Sequence, residues 1–184
     1  RAFVDHPAIN DVVIVVNQDD IDAAHMPTIP DVKVVIGHDT RSGSVLVGLQ
    51  ALEGECDHVL IHDAARPCVT RDVIDDVVAA LAHGPAAAPA VAVVDALWTG
   101  CGGRVTGAVE RTHLFRAQTP QGFELASILA AHIAFPEGAA DDVALARLAG
   151  LDVKITRGCE DNLKITVPED FVRADRILRT RDGH

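Results

Sequence analysis

Short apolar runs alternate with helix-length segments along the first half of the chain. The runs are Val12–Val16, Val32–Ile36, Val59–Ile61 and Ala90–Val94, and the clearest amphipathic segment between them covers 41–52. Strands that alternate with helices at this spacing are typical of a sheet that is covered by helices on both faces, with right-handed crossovers. The sequence therefore predicts a three-layer α/β/α fold.

Composition limits the class of protein and its compartment. The 184 residues are 48% hydrophobic and 23% charged, which is typical of a globular chain, and we expect residues 1–184 to form a single domain. The net charge of -11 argues against a nucleic-acid partner, because such proteins present a basic face. No apolar run approaches the ~18 residues of a membrane span. The four cysteines form no Cys-x-x-Cys pair, which indicates a reducing compartment such as the cytoplasm.

A glycine-rich segment interrupts the alternation of strands and helices. Four glycines lie between Gly100 and Glu110, a density that predicts a β-hairpin standing off the body of the domain. An isolated hairpin is only marginally stable in water. We therefore expect this arm, about residues 96–116, to pack against a partner subunit.

Helices are predicted at three places in the second half of the chain. Apolar spacing indicates a helix at about 125–133, a second helix begins after the acids Asp141-Asp142, and a third begins at Pro168. The last helix is expected to face the core with a stripe of four residues, namely Phe171, Ala174, Ile177 and Leu178.

Two short alternating stretches between these helices predict strands. The first is Val153–Ile155 and the second is Asn162–Thr166. Side chains of a strand point to opposite faces in turn, so Lys164 is expected on the face opposite to Leu163 and Ile165.

Charged residues follow directly after the apolar run Val59–Ile61. Acidic residues and a glycine precede this run and Pro67 follows it, which predicts a short strand buried on both faces. Asp63 and Arg66 then lie at the strand end, where ligands bind in an open parallel sheet. A carboxylate there can hold Mg²⁺ that bridges phosphate oxygens, and an arginine can bind an anion. The alternative from the pattern alone is a local ion pair between Asp63 and Arg66.

Four motifs occur in order along the chain, namely Arg41–Val45, His62–Pro67, Ala117–Gln121, and Asp161–Thr166 with Pro168–Asp170. Together they resemble the 2-C-methyl-D-erythritol 4-phosphate cytidylyltransferases, and the similarity runs from Val12 to about Leu178. The resemblance implies a Rossmann-like nucleotidyltransferase domain and a homodimer joined by the hairpin arm. It also implies transfer of CMP from CTP to 2-C-methyl-D-erythritol 4-phosphate, with release of pyrophosphate and a requirement for Mg²⁺, in non-mevalonate isoprenoid biosynthesis.

The same resemblance implies a role for each site residue. Lys164 and Arg111 position the methylerythritol phosphate, with Arg111 reaching across from the partner's arm. Asp63 is the third catalytic residue and lies at the metal and the α-phosphate. The other implied contacts are Gly37, Arg41 and Ser44 on the nucleotide side, where Ser44 reads the cytosine, and Arg66 and Thr119 on the substrate side.

Simpler interpretations of these residues stay open on the pattern alone. Lys164 and Arg111 also fit ordinary solvated surface side chains. Ser44 also fits a hydroxyl that caps a helix, and Thr119 before a proline also fits a turn.

Several positions depart from the family pattern. Ala96 and Ala140 replace the threonines that are usual near the substrate. Trp98 lies in a segment that is usually polar and basic, and His38 replaces a second glycine. Ala96, Trp98 and Ala140 leave open a cytidylyltransferase for another polyol phosphate, such as ribitol phosphate. A catalytically silent dimeric relative also stays open.

The N-terminal residues predict a start within the domain. The chain begins at Arg1 and runs into His6-Pro7 like the end of a helix. The glycine-rich loop of the family and the lysine after it would fall upstream, so we expect this stretch of polypeptide alone to be an impaired enzyme. Fusion to a downstream cyclase, as the resemblance allows, also stays open.

Overall fold

The computed structural model describes residues 2–22, 32–181 and 183, which fold into strands packed against helices. The α/β class predicted from the sequence is confirmed. In chain order the elements are β1 (Val12–Val16), α1 (Gln18–Asp22), β2 (Val32–Ile36), α2 (Arg41–Gln50), β3 (His58–Ile61), α3 (Arg71–Leu81), β4 (Ala86–Ala92), β5 (Leu97–Cys101), β6 (Arg104–Val109), β7 (Phe115–Ala117), β8 (Gln121–Glu124), α4 (Leu125–Ala134), α5 (Asp142–Leu148), β9 (Val153–Arg157) and α6 (Pro168–Arg181).

Three sheets carry these strands. In the five-stranded sheet, β4 pairs in parallel with β9 and antiparallel with both β7 and β8, while β3 pairs antiparallel with β8. Strands β1 and β2 form a parallel pair, and β5 and β6 form a hairpin. The five-stranded sheet is therefore mixed, with antiparallel pairs beside the one parallel pair of β4 and β9. The segment 115–124 runs back along β4 and inserts β8 between β3 and β4.

Strand β8 is not predicted by the sequence, because its buried side chains include a polar one, Gln121, as well as the apolar Phe123. The Gln121 amide nitrogen donates to Asp141 Oδ2 at 3.0 Å, and its amide oxygen accepts the N–H of Val143 at 3.1 Å. At Gly122, a Cβ atom would lie 2.6 Å from Cγ1 of Val77 in α3. Helix α3 therefore packs closely over β8 only because this strand residue has no side chain.

Threonine side chains cap the starts of α2 and α3. Thr40 Oγ1 accepts the N–H of Gly43 at 3.0 Å, and Thr70 Oγ1 accepts the N–H of Val73 at 3.4 Å. Each side chain satisfies a backbone donor that the first helical turn leaves free, a contact that contributes ~1 kcal/mol. These two caps set the start of α2 and α3.

The main core lies between α2, α4, α5 and the sheet. Its largest fully buried side chains are Phe123 of β8, Ile128 of α4 and Leu145 of α5. Strand β4 contributes mainly alanines, of which Ala86 and Ala87 are almost inaccessible. The helices and β8 therefore supply most of the apolar volume that β4 lacks.

Two predictions about the C-terminal third are wrong. Residues 162–166 do not form a strand. A bond between backbone groups joins them to the body, from the Ile165 N–H to the Ala65 carbonyl at 2.8 Å. Helix α6 is present, but of its expected core face Ala174 alone is buried, whereas Phe171 is 65% exposed. Leu178 is also exposed. The helix contacts the body along a narrower line than its apolar spacing suggests.

The hairpin arm forms as predicted. Its two-residue turn consists of Gly102 and Gly103, both at positive φ (56° and 74°), which glycine adopts without steric cost. Trp98 and Val105 are exposed on the arm. The described part of the chain has no helix with the length and apolar character that a membrane crossing needs.

Candidate active site at the end of strand β3

Three cationic side chains converge on one carboxylate just after β3. Lys164 Nζ lies 3.0 Å from Asp63 Oδ2, Arg66 Nε lies 3.7 Å from the same oxygen, and Arg41 Nη2 lies 3.9 Å from Asp63 Oδ1. These residues come from three distant parts of the sequence. The structure therefore brings together four of the predicted site residues in a cluster with an excess of positive charge.

A hydrogen-bonded chain through His62 fixes the backbone of Asp63. The Asp63 N–H donates to Thr119 Oγ1 at 3.0 Å, and this hydroxyl contacts His62 Nδ1 at 2.9 Å. His62 Nε2 lies 3.1 Å from the Arg66 carbonyl, which can only accept. Burial lowers the pKa of His62, so the ring is neutral, carries its proton on Nε2 and accepts from the Thr119 hydroxyl. Thr119 therefore contacts the cluster through the backbone of Asp63.

The loop that carries Lys164 is held by buried amides. Gln118 donates to the carbonyl of Cys159 at 2.7 Å and accepts the Cys159 N–H at 3.0 Å. The fully buried Asn162 donates to the Thr119 carbonyl at 2.8 Å. These side-chain hydrogen bonds take the place of the backbone hydrogen bonds that a strand at 162–166 would form. In the sequence they are indicated only by two amide residues, Gln118 and Asn162, at distant positions.

Arg66 connects this loop to the sheet. Its Nη1 donates to the Asn162 carbonyl at 2.8 Å and its Nη2 donates to the Ala117 carbonyl at 3.2 Å. Burial lowers the pKa of Arg66, although the Asp63 carboxylate acts in the opposite direction. Two of its three nitrogens thus bind backbone, and the third faces Asp63. The local ion pair with Asp63 that the pattern left open is present, at 3.7 Å.

Arg41 lies at the first position of α2 and is shared between two carboxylates. Besides its approach to Asp63, its Nη2 donates to Asp142 Oδ2 at 2.7 Å. Burial lowers the pKa of Arg41, but the hydrogen bond to Asp142 and the surrounding carboxylates outweigh it and raise the pKa overall. The sequence pattern indicates only an acid at a helix start for Asp142, and does not predict its bond to Arg41.

The loop between β2 and α2 brings Gly37 and Ser44 together. The Ser44 hydroxyl donates to the His38 carbonyl and accepts the His38 N–H, both at 3.0 Å. A Cβ atom at Gly37 would lie 2.7 Å from Ser44 Oγ, so this loop requires glycine there. The interpretation of Ser44 as a helix cap is wrong, because Thr40 caps α2.

Arg111 lies apart from the Asp63 cluster. It is exposed in the turn that follows β6, where its carbonyl accepts the Leu114 N–H at 2.9 Å. Within the described ranges its side chain forms no ion pair or hydrogen bond. Its expected role, which requires the arm of a partner, stays a prediction.

Asp63 suits a metal ion that substrate phosphates also coordinate better than one that is held by protein side chains alone. The described residues contain no group of three or more histidine, cysteine, aspartate or glutamate side chains that could hold an ion. Mg²⁺ is commonly bound by one or two carboxylates together with substrate phosphates. Asp63 alone therefore fits a metal only when phosphate oxygens complete its coordination.

Comparison with known proteins identifies the family of the chain. The family model described as IspD, 2-C-methyl-D-erythritol 4-phosphate cytidylyltransferase, matches residues 1–180. The chain belongs to this family. It is 64% identical, over its full length and 83% of the relative's, to a 2-C-methyl-D-erythritol 4-phosphate cytidylyltransferase of Roseobacter denitrificans. It is also 61% identical over 149 residues to a bifunctional IspD/IspF enzyme of Paracoccus denitrificans, covering 80% of this chain and 39% of that one.

Solved structures of the family share the fold. The cytidylyltransferase from Thermus thermophilus superposes with a TM-score of 0.86 and 31% identity, covering 97% of this chain and 85% of that chain. The predicted nucleotidyltransferase fold is therefore confirmed. As a member of the family, the chain is a nucleotidyltransferase.

Proposed function

We propose that the protein transfers CMP from CTP to 2-C-methyl-D-erythritol 4-phosphate and releases pyrophosphate, as a step of isoprenoid biosynthesis. The observation that carries this proposal is the convergence of Lys164, Arg66 and Arg41 on Asp63 at the end of β3. Membership of the cytidylyltransferase family supports the choice of nucleotide and acceptor.

The chemistry explains why cations are needed at this position. A phosphate oxygen of the acceptor attacks the α-phosphorus of CTP, the bond from that phosphorus to the bridging oxygen breaks, and pyrophosphate leaves. Both reactants are polyanions, so the site must hold them together and stabilise the charge that develops in the transition state. The Lys164 side chain is about half exposed, so its ammonium can contact a phosphate from solvent without any rearrangement of the core.

Mg²⁺ is proposed as the cofactor, with Asp63 as its protein ligand. When bound, the metal would neutralise charge on the phosphates of the nucleotide. Asp63 is fixed for this task by its N–H bond to Thr119. Arg41 and Ser44 are proposed to bind the nucleotide, and Gly37 allows the loop that holds Ser44 to close.

A homodimer through the hairpin arm is proposed as the active form. The arm exposes Trp98 and Val105, an apolar surface that suits a partner. Arg111 lies at the base of this arm, and we propose that it contacts the acceptor phosphate in the site of the partner subunit. Sedimentation of the full-length protein at the mass of a dimer checks this assembly.

A location in the cytoplasm is also proposed. All four cysteines are free thiols, which supports it.

A pyrophosphate-release assay on the full-length protein tests the function. We expect release with CTP, Mg²⁺ and 2-C-methyl-D-erythritol 4-phosphate, and a loss of at least about tenfold when the metal is chelated. Ribitol phosphate as the acceptor tests the alternative left open by Ala96, Trp98 and Ala140. Faster release with ribitol phosphate would replace the proposed acceptor, and no release with either would favour a silent relative.

A further inference from the structure

A buried histidine–carboxylate pair lies behind Arg41. The side chains of Asp142 in α5 and His132 in α4 are 2% and 1% exposed, and Asp142 Oδ1 lies 3.2 Å from His132 Nε2. The other carboxylate oxygen accepts the 2.7 Å bond from Arg41. The Ser42 hydroxyl lies 3.3 Å from His132 Nδ1. Side chains from three helices therefore meet at the guanidinium that approaches Asp63.

The position of Asp142 is itself fixed by the start of α5. The neighbouring Asp141 caps this helix by accepting the Ala144 N–H at 2.8 Å. Gln121 of β8 bonds both to Asp141 and to the N–H of Val143. Gln121 thus connects the first turn of α5, which carries Asp142, to the five-stranded sheet.

Asp142 is ionised in this environment. Burial raises its pKa, but the hydrogen bonds from His132 and Arg41 outweigh burial and lower the pKa overall. A buried ion pair is weak evidence for stability, because desolvation offsets the attraction between the charges. The arrangement is better explained by what it does to Arg41, whose side chain is 45% exposed and would otherwise be free to adopt many rotamers.

We propose that Asp142, supported by His132, is a positioning residue that holds the Arg41 guanidinium beside Asp63 for nucleotide binding. The assignment of CTP as the ligand of Arg41 rests on the proposed function. Asp142 does not touch substrate. It acts by limiting the conformations of an arginine that does, so its removal is expected to weaken CTP binding more than acceptor binding.

The variant Asp142→Asn removes the charge and keeps the shape. His132 can adapt by accepting from the asparagine amide and donating to Ser42, so no buried polar group is left unpaired, but the bond to Arg41 loses the charge of its acceptor and holds the guanidinium less firmly. We expect the KM for CTP to rise about tenfold, equivalent to about 1.4 kcal/mol, while the KM for the acceptor stays within about twofold. Asp75→Asn is the matched control, because Asp75 also pairs with a buried histidine, His6, at 3.1 Å.

A double-mutant cycle decides whether Asp142 acts through Arg41. In an Arg41→Leu background, Asp142→Asn is expected to produce no further rise in the KM for CTP. Additive effects would overturn the proposal, and so would an equal rise in both KM values or no rise at all. If Asp142→Asn does not fold, His132→Phe carries the test, with an expected rise in the KM for CTP of about threefold and the same lack of effect in the Arg41→Leu background.

Calorimetric titration of CTP alone separates this proposal from the proposed function. If the parent protein binds CTP but does not release pyrophosphate with either acceptor, the function fails while the positioning role is still measured as a tenfold weaker Kd in Asp142→Asn. An unchanged Kd overturns the positioning role whether or not the reaction proceeds.

Discussion

Replacing Lys164 with alanine separates the catalytic from the structural contribution of the Asp63 cluster. The ammonium lies 3.0 Å from Asp63, but the lysine side chain is 47% exposed, and ion pairs of this kind contribute ~0–1 kcal/mol to stability. Asp63 also keeps Arg66 and Arg41 within 4 Å, so its carboxylate is not left unpaired. We expect the free energy of unfolding to fall by less than ~1 kcal/mol.

The expected effect of this change on turnover is far larger. A positioned charge that acts on the transition state typically contributes a factor of ~100–1,000 to the rate, or about 2.7–4 kcal/mol. If Lys164 contacts the reacting phosphates, Lys164→Ala lowers kcat/KM for pyrophosphate release by about 100-fold or more. The loss of activity then exceeds the loss of stability by at least ~1.7 kcal/mol.

Urea unfolding and steady-state pyrophosphate release measure the two quantities on the same protein. Lys154→Ala is the matched control, since Lys154 is an exposed lysine on β9. It is expected to leave kcat/KM within about twofold of the parent value. If Lys164→Ala retained more than half of the parent kcat/KM, or if its activity fell only as much as its stability, the assignment of Lys164 to the reacting phosphates would be wrong.

Two further predictions concern the supports of this cluster. Asn162→Ala leaves the buried Thr119 carbonyl without its donor, so we expect urea unfolding to show a loss of ~1–3 kcal/mol together with lower kcat/KM, and an unchanged unfolding midpoint would contradict this. Burial lowers the pKa of His62 in the folded protein. Just below pH ~6.5 the unfolded state therefore binds more protons than the folded state, and the free energy of unfolding falls as the pH drops through that range. His62→Gln is expected to have a shallower dependence of unfolding free energy on pH than the parent, and equal slopes would refute this.

Features with a local cause could be predicted from the sequence. The caps Thr40 and Thr70 act on backbone N–H groups three residues ahead, and the Gly102-Gly103 turn is determined by its own backbone angles. Each of these signals lies within a few residues of the structure that it produces. The predicted helix starts and the hairpin therefore match the observed ones.

Features that depend on distant partners could not be predicted in the same way. Gln121 is buried because Asp141 and Val143 satisfy its amide, and nothing beside it in the sequence indicates this. Residues 162–166 alternate like a strand, but buried amide bonds take the place of a neighbouring strand. The association of Lys164 with Asp63 came from the family resemblance, because the pattern alone also fits a solvated lysine.

Asp63 has one further consequence for the protein without substrate. With Lys164, Arg66 and Arg41 around it, its carboxylate offsets part of the repulsion between the three cations before any anion arrives. A singly charged ion such as chloride gains little by competing with this internal counterion, whereas a triphosphate offers several charges at once. We therefore expect the cluster to favour highly charged ligands over singly charged salts.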